Sequence, residues 1–143
     1  MIKERLRENA AQIRATYINK PFPKGNIAVA EVHIQGDVIF REGGTSRSKS
    51  PTPKPKPKSE GGQFEPTIDP YSKHLMDTDA EYKVLSAIAD ILEMFYDLQV
   101  RGDLYLYTER NPCTSCNDVL RQFKEKFPNI RLEVFWDHPY PPI

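Results

Sequence analysis

Apolar residues fall at Ile2, Leu6, Ala10, Ile13 and Tyr17, three or four apart, with charged residues between them. That spacing predicts an amphipathic helix over residues 1–19, closed by Pro21 and Pro23. Ile27 to Ile34 reads as an apolar-rich strand, and Val38-Ile39-Phe40, after the turn at Gly36-Asp37, as its short hairpin partner. Periodicity is lost from 41 to 70. It returns as a helical stripe of Val84, Leu85, Ile88, Ile91, Leu92 and Phe95, on a helix expected over about 78–98 and broken at Gly102. Leu104 to Thr108 reads as a central strand. Cys116, Val119, Leu120, Phe123 and Phe127 mark one face of a helix over 113–127, and Ile130 to Trp136 alternates as a last strand. The last two strands are joined through a helix, so they are expected to run parallel. The predicted fold is α/β: an α/β/α sandwich on a small mixed sheet, an antiparallel hairpin plus parallel strands, in a single domain spanning 1–143.

The stretch from 41 to 70 changes this picture. Ser50-Pro51-Thr52-Pro53-Lys54-Pro55-Lys56-Pro57-Lys58 places proline at every second position from 51 to 57. Such a run disfavours both helix and sheet pairing and predicts an extended, mobile insert. Arg47, Lys49, Lys54, Lys56 and Lys58 lie in it without an intervening acid. Lys plus Arg equals Asp plus Glu at 20 each over the chain, so overall charge points to no polyanion. The local cluster admits two readings, a solvated linker or an arm that contacts phosphates. No run approaches the length needed to span a bilayer, and the charged start is unlike a signal peptide.

Candidate chemistry sits at the starts of the last two helices. Glu81 precedes Val84, Leu85 and Ile88 by three, four and seven residues, so its carboxylate follows the face that enters the core. A buried carboxylate is costly unless something holds it. Water activated by a metal is one such partner: the carboxylate takes its proton and passes it to a leaving amine. Cys113 and Cys116 are one turn apart at a helix N-terminus, where the dipole and free amides favour thiolate. Their close spacing favours a metal or redox role over a disulfide staple. Asp79 stands two residues before Glu81 and supplies an oxygen ligand, with His74 as the alternative nitrogen ligand. Three protein ligands leave a fourth tetrahedral position open, as catalytic zinc requires. Rival readings remain: Thr78-x-x-Glu81 as a capping box, Cys-x-x-Cys as a redox pair, or a structural zinc site completed by His138 or His74.

Asp79-Ala80-Glu81-Tyr82-Lys83-Val84-Leu85 and Tyr107-Thr108-Glu109-Arg110-Asn111-Pro112-Cys113-Thr114-Ser115-Cys116 together resemble the zinc-dependent cytidine deaminase-like superfamily. Gly25-Asn26-Ile27-Ala28-Val29-Ala30 and Phe127-Pro128-Asn129-Ile130 extend the match, which is closer to the deaminase domains of bacterial polymorphic toxins. It runs from 25 to 136 with 41–70 unmatched. The resemblance implies that Asp79, Cys113 and Cys116 bind Zn2+, that Glu81 shuttles protons, and that cytosine becomes uracil within nucleic acid. It also implies that Asn26 hydrogen-bonds a sugar or base. The chain departs from the family pattern at Asp79, where His or Cys is usual, and in lacking a recognisable fifth strand. Extruding a base from a duplex costs a few kcal/mol, which makes single-stranded DNA the expected substrate. RNA and free nucleosides or nucleotides are the alternatives. Tyr71 is the candidate stacking residue and Arg110 a further contact to base or backbone. By the same resemblance the domain is a delivered effector acting in the recipient cytoplasm as a monomer, with an immunity protein as partner and no membrane association.

Overall fold

The computed structural model describes residues 2–21, 25–34, 37–47, 49–52, 55–66, 80–110 and 114–138; at 37–39, 110, 114–117 and 138 it describes the backbone alone. Along the chain run α1 (Ile2–Ile13), a π-helical turn (Arg14–Ile18), β1 (Ile27–Ile34), β2 (Asp37–Thr45), a short 3-10 turn (Lys58–Glu60), α2 (Ala80–Phe95), β3 (Gly102–Arg110), α3 (Thr114–Lys126) and β4 (Ile130–His138). The strands form one four-stranded sheet in the order β2-β1-β3-β4. β1 is antiparallel to both neighbours, while β3 and β4 run parallel across the α3 crossover.

Alternation along β1 divides the molecule into layers. Ala28, Ala30, Val32 and Ile34 face a core with Val84, Leu85, Ile88 and Leu92 of α2 and Val119 and Phe123 of α3. Ile27 and Val29 face the other way, onto Leu6 and Ala10 of α1. Both faces of the strand are therefore buried, which is why β1 reads as an almost continuous apolar run. The result is the α/β/α sandwich expected from the sequence, α1 on one side and α2 with α3 on the other.

Strand β2 runs to Thr45, well past the expected Phe40, and pairs back as far as Ile27. Its second half carries no hydrophobic alternation because two of its residues are glycines that bring helices close. A side chain on Gly43 would begin 2.5 Å from Ile13 Cδ1, and one on Gly44 would begin 3.2 Å from Val84 Cγ2. Consecutive strand residues point to opposite faces, so this pair admits α1 on one side and α2 on the other. At the far end α2 stops at Phe95, short of 98, and Phe95 is 70% exposed. The last member of its apolar stripe thus overhangs the core instead of joining it.

The proline-rich stretch packs more than its composition suggests. Phe64 is fully buried and meets Phe123 at a ring-centroid distance of 6.0 Å. The Tyr82 hydroxyl donates to the Phe64 carbonyl at 3.0 Å, and Thr52 Oγ1 donates to the Gly43 carbonyl at 2.6 Å.

Polar contacts fasten α1 to the sheet. Glu31, on the α1 side of β1, accepts from Arg5 Nε at 2.8 Å and Nη2 at 2.6 Å, and from Arg41 Nη2 at 2.6 Å. His33 Nε2 lies 2.9 Å from the same carboxylate. These partners, Arg5 foremost, outweigh desolvation and hold the Glu31 carboxyl down at about 2. Arg7 and Lys3 reach Asp137 near the end of β4, and the Arg7 contact is the main reason its carboxyl lies well below the usual range.

Candidate active site

The first turn of α2 lies against the ends of β1 and β3, and three side chains close on one another there. Glu81 is 1% exposed. Its Oε1 accepts from Thr108 Oγ1 at 2.5 Å and from Asn26 Nδ2 at 3.1 Å. Asn26 Nδ2 also donates to Thr108 Oγ1 at 2.9 Å. The single Thr108 hydroxyl proton is directed to the carboxylate, so the Asn26 amide must present its nitrogen to this corner; its oxygen would meet the carboxylate with no proton between them. Among the described residues the buried Asn26 Oδ1 has no hydrogen-bond partner. An unsatisfied buried acceptor costs about 1–3 kcal/mol, which a donor on a bound water or ligand would offset.

Asn26 is fixed from behind. Glu109 follows Thr108 and points to the opposite face of β3, where it forms a forked pair with Arg14, Nε at 2.8 Å and Nη2 at 2.5 Å. Glu109 Oε1 also accepts the Ile27 amide at 3.0 Å, and Arg14 Nη2 donates to the Gly25 carbonyl at 3.1 Å. The residues on both sides of Asn26 are thus held by one buried ion pair. From the front, Asn26 exchanges two bonds with Ser46: its amide donates to Ser46 Oγ at 2.8 Å and its carbonyl accepts the Ser46 amide at 2.9 Å.

Asp79, His74, Tyr71, Cys113 and Lys54 lie outside the described residues, and Arg110 and Cys116 are described by backbone alone. Among the described residues no group of three or more His, Cys, Asp and Glu gathers to hold a metal. The elements flanking the proposed ligands are nevertheless drawn together. Asp79 immediately precedes α2, Cys113 immediately precedes α3, and Cys116 lies in the first turn of α3. The Glu81–Thr108 bond clamps the start of α2 to β3 five residues before Cys113. Two thiolates with a carboxylate or imidazole are ligand types that zinc takes, so the donor set fits that ion.

The basic residues divide. Arg47 and Lys49 are exposed on the turn that adjoins Asn26. Lys58 instead shares a cleft of about 360 Å³ with Gln122, Glu125 and Lys126, roughly 12 Å along α3 from its start. Thr108 and Glu109 lie in the stretch that carries the resemblance but had no role assigned there, and Arg14 and Ser46 lie outside the motifs. Thr108 alone had a readable signal: it continues the inward face of Leu104 and Leu106, where a hydroxyl needs a partner.

Comparison with curated proteins found no match. A toxin-deaminase family profile, described as the BURPS668_1122 family of deaminases, matches residues 6–138, a span that takes in α1 as well as every element of the site. The chain therefore belongs to the BURPS668_1122 family of toxin deaminases.

Proposed function

We propose that this domain is a zinc-dependent hydrolytic deaminase that converts cytosine to uracil in DNA, with single strands as substrate. The observation that carries the reading is the Glu81 carboxylate, buried in the first turn of α2 and oriented by Thr108 and Asn26. Asp79 (or His74), Cys113 and Cys116 would hold the zinc. When bound, zinc supplies the Lewis acidity that makes water a nucleophile at neutral pH. Glu81 accepts the proton that water gives up as its oxygen adds at C4, and returns a proton to the exocyclic nitrogen so that it departs as ammonia. Thr108 and Asn26 fix the carboxylate in the position from which both transfers are made. The Asn26 Oδ1, without a hydrogen-bond partner among the described residues, accepts a hydrogen bond from the exocyclic amine of the base. Tyr71 stacks on the base, and Arg47, Lys49 and Arg110 contact the backbone, with Lys54 and Lys56 continuing the basic path and Lys58 set apart from it in its own cleft.

Among the described residues no helix is long and apolar enough to cross a membrane. We place the domain as a monomeric effector delivered into the recipient cytoplasm and restrained in its producer by an immunity protein. The test is incubation of the purified chain with matched single-stranded DNA, duplex DNA, RNA and free cytidine, reading C-to-U and A-to-I conversion. Conversion of cytosine in single-stranded DNA above the other three supports the reading. Conversion confined to RNA or free cytidine, or of adenine alone, overturns the assigned substrate.

A further inference from the structure

A buried ammonium two residues beyond Glu81 builds one wall of this site. Lys83 is 1% exposed, and its Nζ donates to the Thr45 carbonyl at 2.8 Å and the Arg47 carbonyl at 2.7 Å. Thr45, Arg47, Lys49 and Ser50 are tied together around that contact. Thr45 Oγ1 donates to the Lys49 carbonyl at 2.6 Å and accepts the Arg47 amide at 3.1 Å, while the Thr45 amide donates to Ser50 Oγ at 2.9 Å. Ser46 in the same turn carries the two bonds to Asn26, whose side chain reaches Glu81. The turn and the carboxylate are therefore linked through one residue.

Among the described arginines, the one on this turn differs from most of the others. Arg5, Arg7, Arg14, Arg41, Arg121 and Arg131 each pair with a carboxylate. Among the described residues the Arg47 guanidinium has no acidic partner, and its Nε lies 3.1 Å from where a side chain on Gly25 would begin, one residue from Asn26. Arg101, likewise without one, precedes β3 at the opposite end of that strand from Thr108. Holding an unneutralised guanidinium beside a buried carboxylate site serves a ligand that brings its own negative charge.

We propose that the turn carrying Thr45, Ser46 and Arg47 is a preassembled phosphate-recognition element, in which Arg47 takes a phosphodiester of the bound single strand and Lys83 is the positioning residue that fixes the turn. The proposal rests on the nucleic-acid reading of the Glu81 site and deepens it. Contact with phosphate, set by Lys83, then selects a polynucleotide over a free nucleoside.

The test is fluorescence anisotropy of a labelled oligodeoxycytidylate with the full chain carrying Glu81→Gln, across about 50–200 mM salt. Arg47→Ala is expected to weaken binding about fivefold and to flatten the log–log salt slope by about 0.7, the share of one phosphate on a single strand. Lys83→Met is expected to produce a similar loss, and Arg47→Ala added to it is expected to cost nothing further. Should Lys83→Met fail to fold, Thr45→Val loosens the same turn without altering charge and is expected to flatten the slope equally. An unchanged slope in Arg47→Ala overturns the phosphate assignment. A full Arg47→Ala loss on top of Lys83→Met, or on top of Thr45→Val, overturns the positioning role. If the wild-type chain deaminates no cytosine while these binding effects hold, the turn stands and the enzymatic reading falls.

Discussion

Glu31 and Glu81 are both buried carboxylates, on opposite sides of the same sheet, and their described contacts differ in kind. Glu31 sits under α1 with two arginines and a histidine around it. The donors described on Glu81 are an amide and a hydroxyl, both neutral. A carboxylate ringed by cations is locked in its charged form, which suits a fastener. One oriented by neutral dipoles is fixed in space without being neutralised, which suits a group that must take up and release a proton. Under the proposed function the contrast separates a structural acid from a chemical one more sharply than burial does, since both side chains are buried.

The largest effect expected from this contrast is on rate. Glu81→Gln keeps an oxygen for Thr108 and Asn26, so the thermal melting curve should barely move, while the deamination rate falls by about 10²–10⁴-fold. Glu31→Ala should do the reverse. Removing the acceptor shared by Arg5, Arg41 and His33 is expected to lower the urea unfolding midpoint, with the rate per folded molecule preserved. The same pairing predicts an acid limb. Glu31 is lowered from 4.5 to about 2, so its stabilisation is complete above about pH 4.5 and is lost as the pH falls through about 2. Denaturation followed by circular dichroism should show that limb in the wild type and a shallower one in Glu31→Ala. The smallest effect tests orientation. Thr108→Val removes one hydrogen bond to a carboxylate, about 2 kcal/mol, and should lower kcat by ten- to a hundredfold with little change in KM. Thr108→Ser should restore it; a Val variant as fast as wild type would remove Thr108 from the site.

The fold was legible where alternation or helical spacing had a buried face to report. β1, β4, the α3 stripe from Val119 to Phe127 and the α2 stripe as far as Leu92 lie where their apolar residues place them. The second half of β2 was not, because Gly43 and Gly44 contribute absence of side chain instead of hydrophobicity. Nor was the burial of Phe64, a single aromatic in a polar run that long-range packing alone recruits. Glu81 could be read because a carboxylate on the inward face of a helix is an anomaly at short range. Asn26 could be read only by resemblance, and its neighbours Arg14, Glu109 and Lys83 not at all. Their partners lie 95 residues away for Arg14 and 38 or 36 for Lys83, distances at which spacing along the chain carries no information.

The most direct measurement pairs metal content with chemistry in one set of samples. Wild type and Glu81→Gln are purified in reductant, assayed for zinc, and incubated with cytosine-containing single-stranded DNA. The account predicts about one zinc per chain in both, uracil formed by the wild type, and essentially none by the variant. Uracil produced by Glu81→Gln at the wild-type rate would contradict it.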